Sequence, residues 1–309
     1  MNIVCVEPLG MPASFFEEKR AFFAARGDCF TYYMERSEDP EVLAERMSEA
    51  DAVVVSNIPL RDALLKRCPR LKMLSVAFTG LDHIDLDYCN AHGIKVRNAA
   101  GYSTTAVSEL AVGMMLDMLR RMTELDGLTR HGGCRGTLTG GELRGRTVGV
   151  VGTGAIGTAT IRLLLAFGCR VAAYSRTERA EVRELGVRYM PLDELMGCCD
   201  IVSLHVPLTT ETHHLIDARR IALMQPTALL VNTARGAVVD TEALAKALQE
   251  GAVGGAAVDV YDAEPPLAAD HPLLQAPRCL CLPHVGYATD EAFEIRAGIV
   301  FENLEEMRG

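Results

Sequence analysis

Short apolar runs alternate with segments of helical periodicity along almost the whole chain. Early examples of the apolar runs are IVCV (3–6), CFTYYM (29–34), AVVVSN (52–57) and LKMLSVA (71–77). Strands that are apolar throughout and separated by helices are typical of parallel sheets covered on both faces. The alternation therefore predicts an α/β fold built on parallel sheets.

The same alternation divides the chain into two series. At 309 residues the chain exceeds the length that a single core normally supports, so two domains are expected. Residues 1–97 supply four or five strand–helix units, enough for a flavodoxin-like domain. A second series of strands and helices runs from residue 147 onward. We predict two doubly wound parallel-sheet domains.

The passage between the two series sets the domain limits. A long helix is predicted over 103–125, and a loop rich in Gly and Thr over 126–147. The last helical segment is expected to return to the first domain. The predicted limits are 1–98 plus 288–309 for the substrate-binding domain and 99–287 for the dinucleotide-binding (Rossmann) domain.

Composition excludes several classes of function. The formal net charge is −10, Trp is absent and aromatic residues make up 6%, which argues against a nucleic-acid or anionic-membrane surface. The ten cysteines show neither Cys-x-x-Cys nor zinc-site spacing, so no metal is predicted. The start MNIVCV is typical of a strand rather than a signal peptide, and no apolar run is long enough to cross a bilayer. We therefore expect a cytoplasmic protein with reduced thiols.

The segment VVGTGAIG carries a G-x-G-x-x-G pattern between a predicted strand and a predicted helix. In such a turn the first glycine permits the tight bend, the second lets a pyrophosphate approach the backbone, and the third allows close helix–strand packing. Because a further strand follows the helix, we predict dinucleotide binding here. The predicted contacts are Gly152, Gly154, Ala155, Ile156 and Gly157.

The next strand, RVAAY, ends without the acidic residue that commonly binds the ribose of NAD. Ser175 at that position removes the repulsion that a carboxylate would exert on a 2′-phosphate. Arg176 offers a guanidinium fork to a phosphate, and Thr177 a hydroxyl donor. The three residues favour NADP(H). NAD(H) stays an alternative, because Arg176 can be a solvated loop residue and Glu178 can replace the missing acid.

Three consecutive predicted strands of the second series are each followed by a chemically competent side chain: Arg235, Glu264 and His284. Carboxyl ends of parallel strands meet at one edge, where open α/β sheets bind ligands. Reduction of a 2-keto acid needs a cation for the carboxylate and carbonyl, and an acid for the carbonyl oxygen, parts suited to Arg and His. A neighbouring carboxylate favours the protonated form of a His and orients its ring, which suits Glu264.

Seven segments spread over the chain share their pattern with one known family. They are SVAFTGLDHIDL, VRNAAGYSTTAVSELAVGMML, GRTVGVVGTGAIG, LHVPLTTETHHLI, VNTARGAVVDTEALAKAL, GGAAVDVYDAEPP and LPHVGYAT. On these segments the chain resembles the D-isomer-specific 2-hydroxyacid dehydrogenases. The resemblance implies an oxidoreductase that transfers a hydride between a nicotinamide cofactor and a small 2-keto or 2-hydroxy acid.

The resemblance also implies a role for individual residues. Arg235 corresponds to the family's carboxylate-binding Arg, His284 to its acid/base, and Glu264 to the Glu that tunes that His. The residues implied to hold the substrate are Phe78, Thr79, Gly80, Arg235 and His284, the first three through backbone amides. The further residues implied to line the cofactor site are Thr105, Pro207, Thr233, Ala234 and Asp259, the last near the nicotinamide. A homodimer paired through the cofactor domain is implied as well.

Two other functions stay open on the sequence alone. One is a phosphoglycerate dehydrogenase-type enzyme, and the other is a non-enzymatic dinucleotide-sensing corepressor or scaffold built on the same fold. Glu264 argues against the formate dehydrogenase branch, which carries Gln at that position. Turnover of 2-keto acids with NADPH or NADH separates an enzyme from a sensor.

Overall fold

The computed structural model describes residues 1–263 and 265–307. The chain divides into two compact units, which are described separately. Unit 1 contains Met1–Ser103 together with the chain from Ala288 onward, and unit 2 contains Thr104–Tyr287.

Unit 1 is built on a five-stranded parallel sheet. Its elements before the crossing into unit 2 are β1 (Asn2–Cys5), α1 (Ala13–Ala24), β2 (Cys29–Tyr32), α2 (Pro40–Met47), β3 (Ala52–Val55), α3 (Asp62–Leu65), β4 (Met73–Val76), α4 (Leu86–Ala91) and β5 (Lys95–Asn98). The strand order is β2-β1-β3-β4-β5, and every pairing is parallel. This is the flavodoxin-like order.

Unit 2 is built on a seven-stranded parallel sheet. Its elements are α5 (Thr104–Arg120), α6 (Met122–Arg130), β6 (Thr147–Val151), α7 (Ala155–Ala166), β7 (Arg170–Tyr174), α8 (Ala180–Glu184), β8 (Arg188–Tyr189), α9 (Leu192–Cys198), β9 (Ile201–Leu204), α10 (Ala218–Ile221), β10 (Leu229–Asn232), a 3₁₀ turn (Gly236–Val238), α11 (Thr241–Gln249), β11 (Gly255–Val258), α12 (Pro272–Gln275) and β12 (Cys279–Cys281). The strand order is β12-β11-β10-β9-β6-β7-β8. The predicted fold class of two doubly wound parallel sheets is confirmed.

The central strands explain why the apolar runs are continuous rather than alternating. Every residue of β3, β4, β9, β10 and β11 is buried, since helices cover both faces of each sheet. The chain crosses from β7 and β8 on one side of β6 to β9 on the other. The carboxyl ends of β6 and β9 therefore form a topological switch point, where sheets of this kind bind ligands.

The last helix, α13 (Asp290–Glu305), belongs to unit 1. Its amino end is capped by Thr289, whose hydroxyl accepts a hydrogen bond from the backbone N–H of Ala292. The hydroxyl of Ser75 in β4 donates to the carbonyl of Val300 at 2.8 Å. The buried guanidinium of Arg296 donates to the carbonyl of Leu9 at 2.6 Å. These bonds attach the helix to the sheet of unit 1.

The single helix predicted over 103–125 is wrong in one respect. The structure breaks it at Arg121, which has φ 56°, and starts α6 immediately afterwards. The carboxylate of Asp117 accepts hydrogen bonds from the backbone N–H and the hydroxyl of Thr123, at 2.8 and 3.0 Å. Because this side chain satisfies amino-terminal groups of α6, a new helix begins there and continues to Arg130, into the region predicted as loop.

Candidate active site

The strands β10, β11 and β12 are neighbours in the sheet, and they end at the same position along the strand direction. The register pairs Asn232 with Val258, and Val258 with Cys281, each the last residue of its strand. Arg235 follows β10 by three residues, and His284 follows β12 by three. The structure thus places both side chains in loops at the same edge of the sheet. Glu264, the third predicted catalytic residue, lies outside the described residues.

The loop that carries Arg235 is held by the last side chain of β10. Buried Asn232 accepts a hydrogen bond from the backbone N–H of Ala234 at 3.0 Å and donates to the carbonyl of Arg235 at 2.9 Å. A Cβ atom on the following Gly236 would lie 1.9 Å from the carbonyl carbon of Tyr261. Only glycine permits so close an approach of the two backbones, which brings the Arg235 loop against the end of β11.

The loop that carries His284 is held on both sides. His284 itself has φ 58°, in the left-handed region that non-glycine residues rarely adopt. Buried Asp259 accepts hydrogen bonds from the backbone N–H groups of the next two residues, at 2.8 and 2.7 Å. The hydroxyl of Tyr261 donates to the carbonyl of Leu282 at 2.9 Å. The backbone conformation at His284 is therefore set by side chains of the adjacent strand end.

The two hydrogen bonds of Asp259 to the His284 loop can be tested by mutation. We expect Asp259→Asn to lower kcat about 10- to 100-fold, because the amide keeps one oxygen acceptor but directs an NH₂ donor at the second backbone N–H. Hydrogen exchange of the amides at 285 and 286 should accelerate in the variant. The matched control is Asp262→Asn, whose exposed carboxylate accepts a hydrogen bond from the hydroxyl of Thr241. Unchanged exchange at both amides would contradict the role given to Asp259.

The glycine turn after β6 has the geometry that a dinucleotide requires. Gly152 has φ 97°, and a Cβ atom there would lie 2.5 Å from the carbonyl oxygen of His205. A Cβ atom on Gly157 would lie 1.9 Å from the carbonyl oxygen of Gly152. At Gly154, which precedes the first turn of α7, a Cβ atom would meet no atom within 4 Å. The first and third glycines are needed for packing, and the second faces open space at a helix amino terminus, which fits a pyrophosphate.

His205 follows β9 and lies against this turn. Burial lowers the pKa of His205 to about 4, so its ring is neutral at physiological pH. The Nε2 atom lies 2.9 Å from the hydroxyl of Ser203. A neutral ring bonded to its own strand forms part of the wall of the turn and is a poor candidate for the catalytic acid. Sequence reasoning could place this His at a strand end but could not show its burial.

Ser175, Arg176 and Thr177, which are predicted to distinguish NADP(H) from NAD(H), directly follow β7. Ser175 is half-buried at the strand end, and Arg176 and Thr177 are exposed. Glu178, the acid that could have taken the place of the missing one, accepts two hydrogen bonds from Arg183, one of them from Nε at 2.9 Å. The Glu178 carboxylate is therefore already paired with the Arg183 guanidinium.

The remaining residues predicted to line the cofactor site occupy positions around the same edge of unit 2. Thr233 and Ala234 follow β10, and Pro207 follows β9. The hydroxyl oxygen of Thr233 is buried and has no hydrogen-bond partner among the described residues. Thr105 is exposed in the first turn of α5. The buried Thr233 hydroxyl is a polar group suited to a ligand contact.

In unit 1, the segment predicted to hold the substrate carboxylate follows β4. The carbonyl of Phe78 accepts from the backbone N–H of Ala99 at 3.1 Å, and that of Thr79 accepts from the Asn98 side chain at 2.7 Å. In a trans peptide the N–H points opposite to the preceding carbonyl. The N–H groups of Thr79 and Gly80 therefore point away from the end of β5.

Within residues 1–263 and 265–307 no group of three or more His, Cys, Asp or Glu side chains could hold a metal ion. Over the same part of the chain no helix is both long enough and apolar enough to cross a membrane. The predicted cytoplasmic location stays a prediction.

Comparison with known proteins decides the family. The family model described as the NAD binding domain of D-isomer specific 2-hydroxyacid dehydrogenases matches residues 112–286, more than half of the chain. The chain belongs to the D-isomer-specific 2-hydroxyacid dehydrogenase family. It is thus an NAD(P)-dependent oxidoreductase that transfers a hydride between a nicotinamide cofactor and a 2-hydroxy or 2-keto acid, which confirms the predicted family and activity.

Individual relatives agree with this assignment. A glyoxylate reductase from Thermococcus litoralis is 38% identical over 288 residues, covering 88% of this chain and 86% of the relative. The crystal structure of a D-lactate dehydrogenase from Aquifex aeolicus, complexed with NAD and lactic acid, has a TM-score of 0.85 and 32% identity over 100% of this chain and 96% of that one. An acyclic imino acid reductase in complex with NADPH and D-Arg has a TM-score of 0.88 and 25% identity, covering 99% and 97%.

Proposed function

We propose that this chain reduces a small 2-keto acid to the D-2-hydroxy acid with NADPH as the preferred hydride donor. The observation that carries the proposal is the level register of β10, β11 and β12, which delivers Arg235 and His284 to one sheet edge in loops clamped by Asn232 and Asp259. That edge also contains the glycine turn at the switch point of the sheet.

The roles follow from the chemistry of each group. The nicotinamide cofactor, when bound at the glycine turn, supplies or accepts the hydride. Arg235 binds the substrate carboxylate with its guanidinium fork and polarises the carbonyl. His284 protonates the carbonyl oxygen as negative charge develops there, and removes the same proton in the oxidation direction. Glu264 is proposed to orient His284 and to favour its protonated form.

Unit 1 is proposed to contribute backbone donors. On the family resemblance, the backbone N–H groups of Thr79 and Gly80 would bind carboxylate oxygens, and Phe78, which is buried, would present an apolar surface. Backbone N–H groups bind a carboxylate without the conformational cost of a long side chain. Small 2-keto acids such as glyoxylate and pyruvate are the proposed substrates, supported by the activity printed for the Thermococcus litoralis relative and the ligand of the Aquifex aeolicus structure.

The proposed preference for NADPH rests on the segment after β7. A serine replaces the ribose-binding acid, Arg176 is exposed beside it, and Glu178 is paired with Arg183. The pKa of Glu211 is lowered by a hydrogen bond from the hydroxyl of Thr209, by a backbone N–H, and by the positive charge of Arg176.

A charge change at residue 175 gives a second prediction. We expect Ser175→Asp to lower kcat/KM for NADPH about 100-fold, because a carboxylate repels the 2′-phosphate, and to raise kcat/KM for NADH, because it can bond the ribose hydroxyls. Steady-state kinetics with each cofactor at saturating 2-keto acid would measure both. The isosteric control Ser175→Asn should change the ratio of the two values far less. A preserved NADPH preference in Ser175→Asp would contradict the proposed role of Ser175.

The proposed function itself is tested by turnover. Purified protein is assayed with NADPH and with NADH against glyoxylate, hydroxypyruvate, pyruvate, bulkier 2-keto acids and 3-phosphohydroxypyruvate. We expect oxidation of NADPH with at least one small 2-keto acid. Activity restricted to the phosphorylated substrate would indicate a phosphoglycerate dehydrogenase-type enzyme. Binding of the cofactor without turnover of any substrate would indicate a sensor.

The proposed assembly is a homodimer paired through unit 2. It rests on the family resemblance. Analytical ultracentrifugation would measure it, and a monomer at micromolar concentration would contradict it.

A further inference from the structure

Tyr189, at the end of the edge strand β8, connects two loops that the proposed cofactor site uses. Its hydroxyl donates to the hydroxyl oxygen of Thr153 at 2.9 Å and accepts from the backbone N–H of Arg179 at 3.0 Å. Thr153 is the buried residue between the first two glycines of the turn after β6. Arg179 closes the segment that begins at Ser175. The Tyr189 phenol thus joins the glycine turn to the chain just after Ser175–Thr177, the segment proposed to distinguish NADPH from NADH.

Further contacts hold Tyr189 and the same segment in place. The backbone register pairs Tyr189 with Ala173 of β7, one residue before the end of that strand. The guanidinium of Arg183 lies 5.5 Å from the centre of the Tyr189 ring while it binds Glu178. On the other side, the carbonyl of Thr153 accepts from the hydroxyl of Thr158 in α7 at 3.1 Å. Both ends of the link are therefore themselves bonded to fixed elements.

Such a link matters only for a ligand that contacts both loops at once. Under the proposed function, a dinucleotide with a 2′-phosphate would place its pyrophosphate at the glycine turn and its 2′-phosphate at Ser175–Thr177. Once one of the two phosphate groups is bound, the effective concentration of the other at its own loop is high only if the distance between the two loops is fixed. A ligand with only one of the two phosphate groups gains no affinity from a fixed distance between the loops.

We propose that Tyr189 is a positioning residue for 2′-phosphate recognition, holding the Ser175–Thr177 segment at the distance from the glycine turn that NADPH spans. The role rests on the proposed preference for NADPH. It is a role in the spacing of two binding loops, and it involves no contact between Tyr189 and the reacting atoms.

The test compares Tyr189→Phe with wild type by titration calorimetry on three ligands. NADPH has both the pyrophosphate and the 2′-phosphate, NADH has the pyrophosphate without the 2′-phosphate, and adenosine 2′-monophosphate has the 2′-phosphate without the pyrophosphate. Loss of one bridging hydroxyl is expected to weaken NADPH about fivefold and each of the other two ligands less than about twofold. The control is Tyr32→Phe, which removes a hydroxyl bond to Glu17 in unit 1 and should alter none of the three. Melting temperatures of both variants establish that they fold.

A double-mutant cycle locates the effect in the bridge. Thr153→Val removes the other end of the hydrogen bond with little change of volume. The double variant should bind NADPH no more weakly than the weaker single variant, and additive losses would overturn the bridging role. Equal weakening of NADPH and NADH by Tyr189→Phe, or no weakening of NADPH, would also overturn it. A wild-type protein that binds NADH more tightly than NADPH would overturn the proposed preference, and with it this inference.

Discussion

Replacement of His284 by Asn is expected to lower kcat for 2-keto acid reduction about a thousandfold and to leave the affinity for the nicotinamide cofactor within about twofold. A positioned acid contributes about 10²- to 10⁴-fold to a proton transfer, and an amide cannot supply that proton. The left-handed backbone at His284, φ 58°, makes the choice of replacement important. Asn tolerates this conformation better than most non-glycine residues, so the variant removes the imidazole without adding backbone strain.

The chain offers a closely matched control for this variant. His214 also has positive φ, 48°, and is exposed in a turn. His214→Asn therefore makes the same chemical change on the same kind of backbone, and kcat should stay within about twofold of wild type. Retention of kcat within threefold in His284→Asn would contradict the assignment of His284 as the acid.

Replacement of Arg235 by Lys is expected to lower kcat/KM for the 2-keto acid about a hundredfold. Lys keeps the positive charge but loses the planar fork, so at least one of two charge-assisted hydrogen bonds to the carboxylate is lost, worth about 1.5–3 kcal/mol. The loop itself should persist, because Asn232 holds it through backbone groups of Ala234 and Arg235. Steady-state kinetics combined with cofactor titration would show a loss confined to the keto acid.

The control for Arg235→Lys is Arg278→Lys. Arg278 is exposed in the turn before β12, and the described contact there is through its carbonyl, which accepts from the backbone N–H of Ala256 at 3.0 Å. Its replacement should change neither kinetic constant by more than about twofold. An Arg235→Lys variant that weakened cofactor and keto acid equally would indicate a structural role for Arg235 rather than carboxylate binding.

The fold was predictable because its central strands are buried on both faces. Runs such as AVVV and IVSL are apolar throughout for that reason, and the intervening helices required parallel connections. The strand β8 was not predicted. It has two residues, begins with Arg188, and lies at the sheet edge, so its conformation depends on pairing with β7 rather than on its own composition. The link made by Tyr189 was therefore not visible in the sequence.

The helix break at Arg121 was also not predictable from the sequence. Its sequence, RRMTEL, continues the helical period, and the break depends on the Asp117 carboxylate reaching forward to Thr123. A hydrogen bond of this kind leaves no periodic signal.

The candidate site shows a third limit. The strand-end rule placed Arg235 and His284 correctly at one edge, but it did not show how their loops are held. Asn232 carried a usable signal, since it is a polar residue that ends an otherwise apolar strand. The family resemblance associated Asp259 with the cofactor, whereas the structure shows its carboxylate bonded to the loop of His284. The roles of individual residues, Glu264 included, stay predictions.

In the proposed reaction the hydride passes directly between C4 of the nicotinamide and C2 of the 2-keto acid. The most direct measurement uses NADPH deuterated at both C4 positions, with analysis of the product by mass spectrometry and chiral chromatography. With pyruvate as substrate, we expect D-lactate that carries one deuterium at C2. Product without deuterium, or deuterated product of the L configuration, would contradict it.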